Sequence, residues 1–89
     1  MKTIHKFPLQ INTGQSVSMP ADAKILSVQF QHGILTMWAE VDTEAAPSVR
    51  AIYIFGTGHP IHEDDLIYIG TVQQAGGNLV WHVYDGGRT

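Results

Sequence analysis

Apolar and polar residues alternate with a period of two along most of this chain, and no stretch keeps the longer period of an amphipathic helix. Turn residues interrupt the alternation at roughly eight-to-twelve-residue intervals, the spacing of a sandwich or small barrel. The first strand is expected over Thr3–Ile11, with Phe7, Leu9 and Ile11 on one face. Pro8 lacks an N–H and so places it at a sheet edge. Asn12-Thr13-Gly14 turns the chain into Gln15–Met19, which is expected to pair with the first strand as a hairpin. The strongest pattern is Ile25–Gln31, then His32-Gly33, then Ile34–Val41. Leu26, Val28 and Phe30 alternate on one arm, and Leu35, Met37, Ala39 and Val41 on the other. A two-residue link of this kind predicts a tight hairpin.

Asp42–Ser48 reads as an exposed loop. Val49–Phe55 is a nearly continuous apolar run, which predicts a central strand covered on both faces. Gly56–Asp65 is a second long loop, and Leu66–Gln73 a strand with Ile67, Ile69 and Thr71 on one face. Leu79–Tyr84 is the last strand, with bulk on both faces, which makes it a candidate subunit contact. Gly86–Thr89 is expected to fray. The fold class is therefore all-β: an antiparallel sandwich or small barrel of about seven short strands in one domain, 1–89. Phe7, Phe30 and Phe55 are expected to roof the core, while Trp38, Tyr53, Tyr68 and Trp81 stay open between core and surface.

Composition narrows the function classes. With 15% charged residues and a net charge of −3, the surface is polar but weakly charged. Such a surface is cheap to cover, and a chain this small has a thin core, so a homo-oligomer is expected. The five basic residues are dispersed, which argues against nucleic-acid binding. The lack of cysteine excludes disulfides and thiolate chemistry and points to the cytoplasm. No apolar run suits a membrane span, and the opening residues do not read as a signal peptide.

Candidate chemistry centres on Gly56-Thr57-Gly58-His59-Pro60, where glycine-turn N–H groups could hold an anion. Together with Arg50 and the rings of Trp38 or Trp81, these residues form a candidate ligand site for a nucleotide-type signal. His59, His62 and His82, with Asp64, are candidate metal ligands of a hydrolase. Surface-loop polarity accounts for the same residues more simply. No spacing fixes a catalytic pair, so no catalytic residue and no cofactor is assigned.

Six segments in order carry a resemblance. They are Lys6-Phe7-Pro8-Leu9; Met19-Pro20 with Ala23–Val28; Trp38–Asp42; Gly56–Ile61; Tyr68-Ile69-Gly70-Thr71; and Leu79–Val83. Together they resemble a family of very small proteins of tailed bacteriophages and prophages, a domain of unknown function. Trp81 stands where the family pattern has Phe. The resemblance implies an accessory protein in the bacterial cytoplasm. The expected function is non-enzymatic binding to a host macromolecule, such as a defence protein. A sponge for a signalling molecule is the second expectation, and a metal-dependent hydrolase the third.

Overall fold

The strongest sequence pattern forms the centre of the fold. In a computed structural model covering residues 1–89, β3 (Lys24–Gln31) and β4 (Ile34–Asp42) are joined by His32-Gly33. Both turn residues have positive φ, 50° and 79°, as a type I′ hairpin requires. Leu35, Met37, Ala39 and Val41 are all essentially buried. Each such side chain contributes about 1.5–3 kcal/mol by leaving water.

Two antiparallel sheets form around this core. The first has the order β1 (Lys2–Pro8), β4, β3. The second has the order β2 (Gly14–Pro20), β5 (Pro47–Gly56), β7 (Leu79–Arg88), β6 (Ile67–Gln74). The result is sandwich-like. Ile52, Ile54 and Val83 face Met37, Ala39 and Val28 within one apolar cluster. As the apolar run predicts, β5 lies inside its sheet with neighbours on both sides, and Ile54 and Phe55 are buried on opposite faces.

Four sequence expectations need correction. β1 and β2 do not pair as a hairpin; β1 pairs with β4 and β2 with β5, in different sheets. Both strands carry an apolar face, and the core lies between them, so the Leu9–Thr13 link crosses from one layer to the other. The Gln15 amide ties that link by accepting from Gln10 N (3.0 Å) and donating to Gln10 O (2.7 Å) and Asn12 Oδ1 (3.0 Å).

Bulges break the expected alternation twice. A register shift between Ile25 and Ser27 leaves Leu26 exposed and turns Ile25 to the core. A shift between Tyr68 and Gly70 splits the expected Ile67–Ile69–Thr71 face: Ile69 packs on the core with Val72, while Ile67 and Thr71 are exposed.

The expected frayed tail is strand. β7 continues to Arg88, and Thr89 N donates to Val49 O at 3.0 Å. The register shift opposite Ala51/Ile52 and the positive φ of Gly87 (90°) let the chain stay on β5 past Asp85. Finally, Phe55 is 3% exposed yet lies outside the inner cluster, on the outer face of the four-stranded sheet. Phe7 and Phe30 do pack on the core.

Candidate functional site

The seven candidate ligand residues separate into three places. Gly56, Thr57 and His59 line a recess of about 220 Å³ with Trp81, Leu79 and Asn78. Gly58 is exposed beside it, at φ 87°. Glycine at position 56 has a packing reason: a Cβ there would stand 2.8 Å from His59 Cε1. The imidazole folds back over this backbone, with Gly56 N donating to His59 Nδ1 at 3.3 Å. Trp81 packs partly against the core and donates its indole N–H to Gln74 Oε1 at 3.1 Å, so it is a wall of the recess rather than a free platform.

Arg50 is elsewhere, at the other end of β5. Its guanidinium donates to Asp85 Oδ2 (2.8 Å) and to Ala23 O (2.9 Å). Both ionised side chains are largely buried, at 14% and 13% exposure. The pair joins β5 to β7 and reaches across to the residue before β3, so this cation is engaged in holding the fold. Trp38 lies in the other sheet, on β4, in register with Lys6 and Ser27.

The three candidate metal-ligating histidines do not converge, and no group of three or more His, Asp or Glu side chains suited to a metal forms. His82 instead sits in a chain of hydrogen bonds that contains no carboxylate. Its Nε2 meets Thr57 Oγ1 at 2.7 Å and its Nδ1 meets Thr71 Oγ1 at 3.0 Å. Thr71 Oγ1 in turn meets Tyr68 Oη at 2.6 Å. The order is hydroxyl, imidazole, hydroxyl, phenol. A hydrolytic triad would need a carboxylate where Thr71 stands, to orient the imidazole and stabilise its cation. This arrangement offers donors and acceptors without a carboxylate.

An aromatic row on the same outer face runs into that chain. Tyr53 and Phe55 lie parallel with centroids 6.4 Å apart. Phe55 meets Tyr84 edge-on at 5.8 Å, and Tyr84 meets Tyr68 edge-on at 5.6 Å. Tyr53 is seated between two glycines on neighbouring strands; a Cβ at Gly86 would stand 2.6 Å from its ring, and one at Gly14 3.1 Å. Tyr68 is 56% exposed. The outward positions of these strands, Ser16 and Ser18, Val49 to Phe55, Val80 to Tyr84, and Tyr68 with Thr71 and Gln73, include no charged residue.

The sequence names most of these residues singly but not the row, because Tyr53, Tyr84 and Tyr68 become neighbours only through the β5–β7–β6 pairing. Alternation along β5 and β7 was the available signal, since it sets Tyr53 with Phe55 and His82 with Tyr84 on shared faces.

Over residues 1–89 the chain matches the family described as Domain of unknown function (DUF7352). The chain belongs to that family. No curated protein and no solved structure matches it. The family membership carries no assigned chemistry, so the DUF7352 fold has to be read from its surfaces. No helix is long and apolar enough to cross a membrane.

Proposed function

We propose that this DUF7352 chain acts by binding a partner protein without chemical turnover. The recognition surface in this reading is the outer face of the four-stranded sheet. The observation that carries it is the exposed Tyr68 beside the half-buried Tyr84, a row without Asp, Glu, Lys or Arg that runs into the Thr71–His82–Thr57 hydrogen-bond chain. Tyrosines supply large contact area at small entropic cost, and such rings dominate protein interfaces. A neutral face is also cheap to desolvate. The segment-by-segment resemblance to small proteins of tailed phages supplies the setting: an accessory protein of the bacterial cytoplasm whose partner is a host protein, a defence factor being the leading class. The nucleotide reading lacks support, because Arg50 is paired with Asp85 and the Gly56–His59 recess has no cation in its lining.

The test is affinity capture from host lysate with three baits: the wild type, Tyr68→Ser with Tyr84→Ser, and Trp38→Ser on the opposite sheet. The expected result is a partner held by the wild type and the Trp38 variant and lost by the tyrosine variant. A partner that ignores the tyrosines, or no partner at all, would overturn the proposal.

A further inference from the structure

Every open-sided sheet has edges, and an edge strand presents unpaired N–H and C=O groups to any other strand. Four strands are edges here: β1, β3, β2 and β6. Three carry a feature that discourages pairing. β1 has Lys2 and Lys6 and ends in Pro8. β3 and β6 are each bulged, and they lie against one another, so that a Cβ on Gly70 would come 3.0 Å from Val28 Cγ1. β2 shares the terminal proline of β1 but has neither lysines nor a bulge. Its sequence, Gly14-Gln15-Ser16-Val17-Ser18-Met19-Pro20, has no charge, its register with β5 is unbroken, and its only proline is terminal.

The pattern of existing bonds says which groups are free. Ile54 N donates to Thr13 O, and Ala21 N donates to Ala46 O. Antiparallel pairing alternates, so Gln15, Val17 and Met19 bond toward β5, and Gly14, Ser16 and Ser18 point their N–H and C=O outward from the sheet. Ser16 and Ser18 are exposed, and Val17 is half-buried at the rim of the core.

This edge is complementary to itself. Ser16-Val17-Ser18 reads the same in both directions. We propose that β2 pairs antiparallel with β2 of a second copy across a twofold axis at Val17. Val17 then faces its own counterpart at a non-hydrogen-bonded position, the closer of the two antiparallel spacings. Ser16 faces Ser18 of the second copy, and each such pair exchanges two backbone hydrogen bonds. Gly14 N–H reaches Pro20 C=O, which also accepts from Ala23 N of its own chain at 3.3 Å, and the missing proline N–H ends the ladder there. The alternation of free groups allows this register: a twofold at Val17 places the outward-pointing residues opposite one another. No like charges meet, and serine pairs across strands are favourable. The product is one continuous eight-stranded sheet, with two copies of the Tyr68–Tyr84 face on it. A dimeric partner would engage both faces at once.

The experiment is sedimentation equilibrium on the full chain in three forms. Wild type is expected at twice the chain mass. Ser16→Lys with Ser18→Lys sets lysine opposite lysine in both serine pairs, and the dissociation constant should rise about tenfold or more. Ser16→Lys with Ser18→Glu sets lysine opposite glutamate, and the constant should return toward the wild-type value. Both positions are exposed, and matched circular dichroism and melting curves check that the variants fold. A monomeric wild type overturns the proposal. So does a dimer indifferent to the two lysines, which would place the interface elsewhere. A dimer weakened equally by both variants would reject this register. None of these outcomes depends on lysate capture, so dimerisation and partner binding stand or fall separately.

Discussion

The two ends of the sandwich are built from the same strands and from opposite chemistry. At one end β1 begins, β5 begins and β7 finishes, and all three ion pairs of the molecule occur there: Met1–Asp42, Arg50–Asp85 and Arg88–Asp22. At the other end lie the His32-Gly33 turn, Gly14, the Gly56–His59 turn and the Gly76-Gly77 turn, with no ion pair. β5 spans both, from Arg50 at the charged end to Gly56 at the neutral one. The difference shows where charge is used in a chain with little of it. The charged end braces strands within each sheet and, through Arg50 and Ala23 O, the segment that leads into the other sheet, whereas the outer face of the four-stranded sheet is left with hydroxyls, an imidazole and aromatic rings for contact with something else.

Breaking the charged end should cost most. Arg50→Ala leaves Asp85 largely buried without its cation and Ala23 O without its donor. Removing one partner of a buried pair costs about 3 kcal/mol or more. Urea denaturation would show it as a lower midpoint with an unchanged slope. The comparison predicts a far smaller loss for His59→Ala at the neutral end, within about 0.5 kcal/mol, because that ring is exposed. Equal losses would mean that the Arg50 pair does not hold the layers.

A matched pair of glycine substitutions sharpens the same contrast. Gly86→Ala places a methyl 2.6 Å from the Tyr53 ring, which is wedged between Gly86 and Gly14 and against Phe55. Overpacking of this kind costs about 1–3 kcal/mol. Gly56→Ala places a methyl 2.8 Å from His59, but that side chain can swing into solvent, so the cost should stay below about 1 kcal/mol. Melting temperatures of the two variants would check the order, and near-ultraviolet circular dichroism would report Tyr53 displaced only in the first.

What the sequence made legible follows from the range of the interactions. The β3–β4 hairpin was readable because its signal is local: two alternating arms and a turn pair able to adopt positive φ. β5 was readable as central because a strand covered on both faces loses alternation. The partners of β1 and β2 were not readable, because each pairs with a strand more than twenty residues away, and the chain between them passes through the other sheet. The bulges at Leu26 and Ile69 reverse which residues face inward, and no residue type there announces them. Arg50 was assigned to a ligand because its actual partner, Asp85, is thirty-five residues distant in sequence. Alternation groups Thr71 with Ile67 and Ile69 on one face, and nothing local announces that its hydroxyl links Tyr68 to His82.

That link offers a smaller perturbation on the contact side of the molecule. Thr71→Val keeps shape and removes the hydroxyl that joins Tyr68 to His82. Net hydrogen-bond contributions at exposed sites are about 1 kcal/mol or less. Stability should therefore fall only slightly, while a captured partner should be lost or weakened if the hydroxyl chain sets the orientation of Tyr68. A stability loss like that of Arg50→Ala would instead make the chain a structural tie and erase the distinction between the two regions.

The smallest effect expected is at Asp42, whose partner at the charged end is the exposed chain terminus. The Glu44 backbone N–H donates to Oδ1 at 3.0 Å and holds the carboxyl below its ordinary value of 3.8. The Met1 ammonium, at 3.3 Å from the same oxygen, lowers it further, with Lys2 a minor contributor. A depressed folded pKa binds fewer protons than the unfolded chain, so this contribution is complete above 3.8 and is lost as pH falls through the lower folded value. The half-exposed position of Asp42 beside the exposed Met1 ammonium keeps it small and sensitive to salt. Wild type and Asp42→Ala should therefore differ slightly in urea midpoint at neutral pH and low ionic strength, and the difference should shrink as the pH is taken below 3.8. A difference that persists in acid would show Asp42 acting through the geometry of the β4–β5 turn, in which its oxygen also fixes Glu44, rather than through its charge.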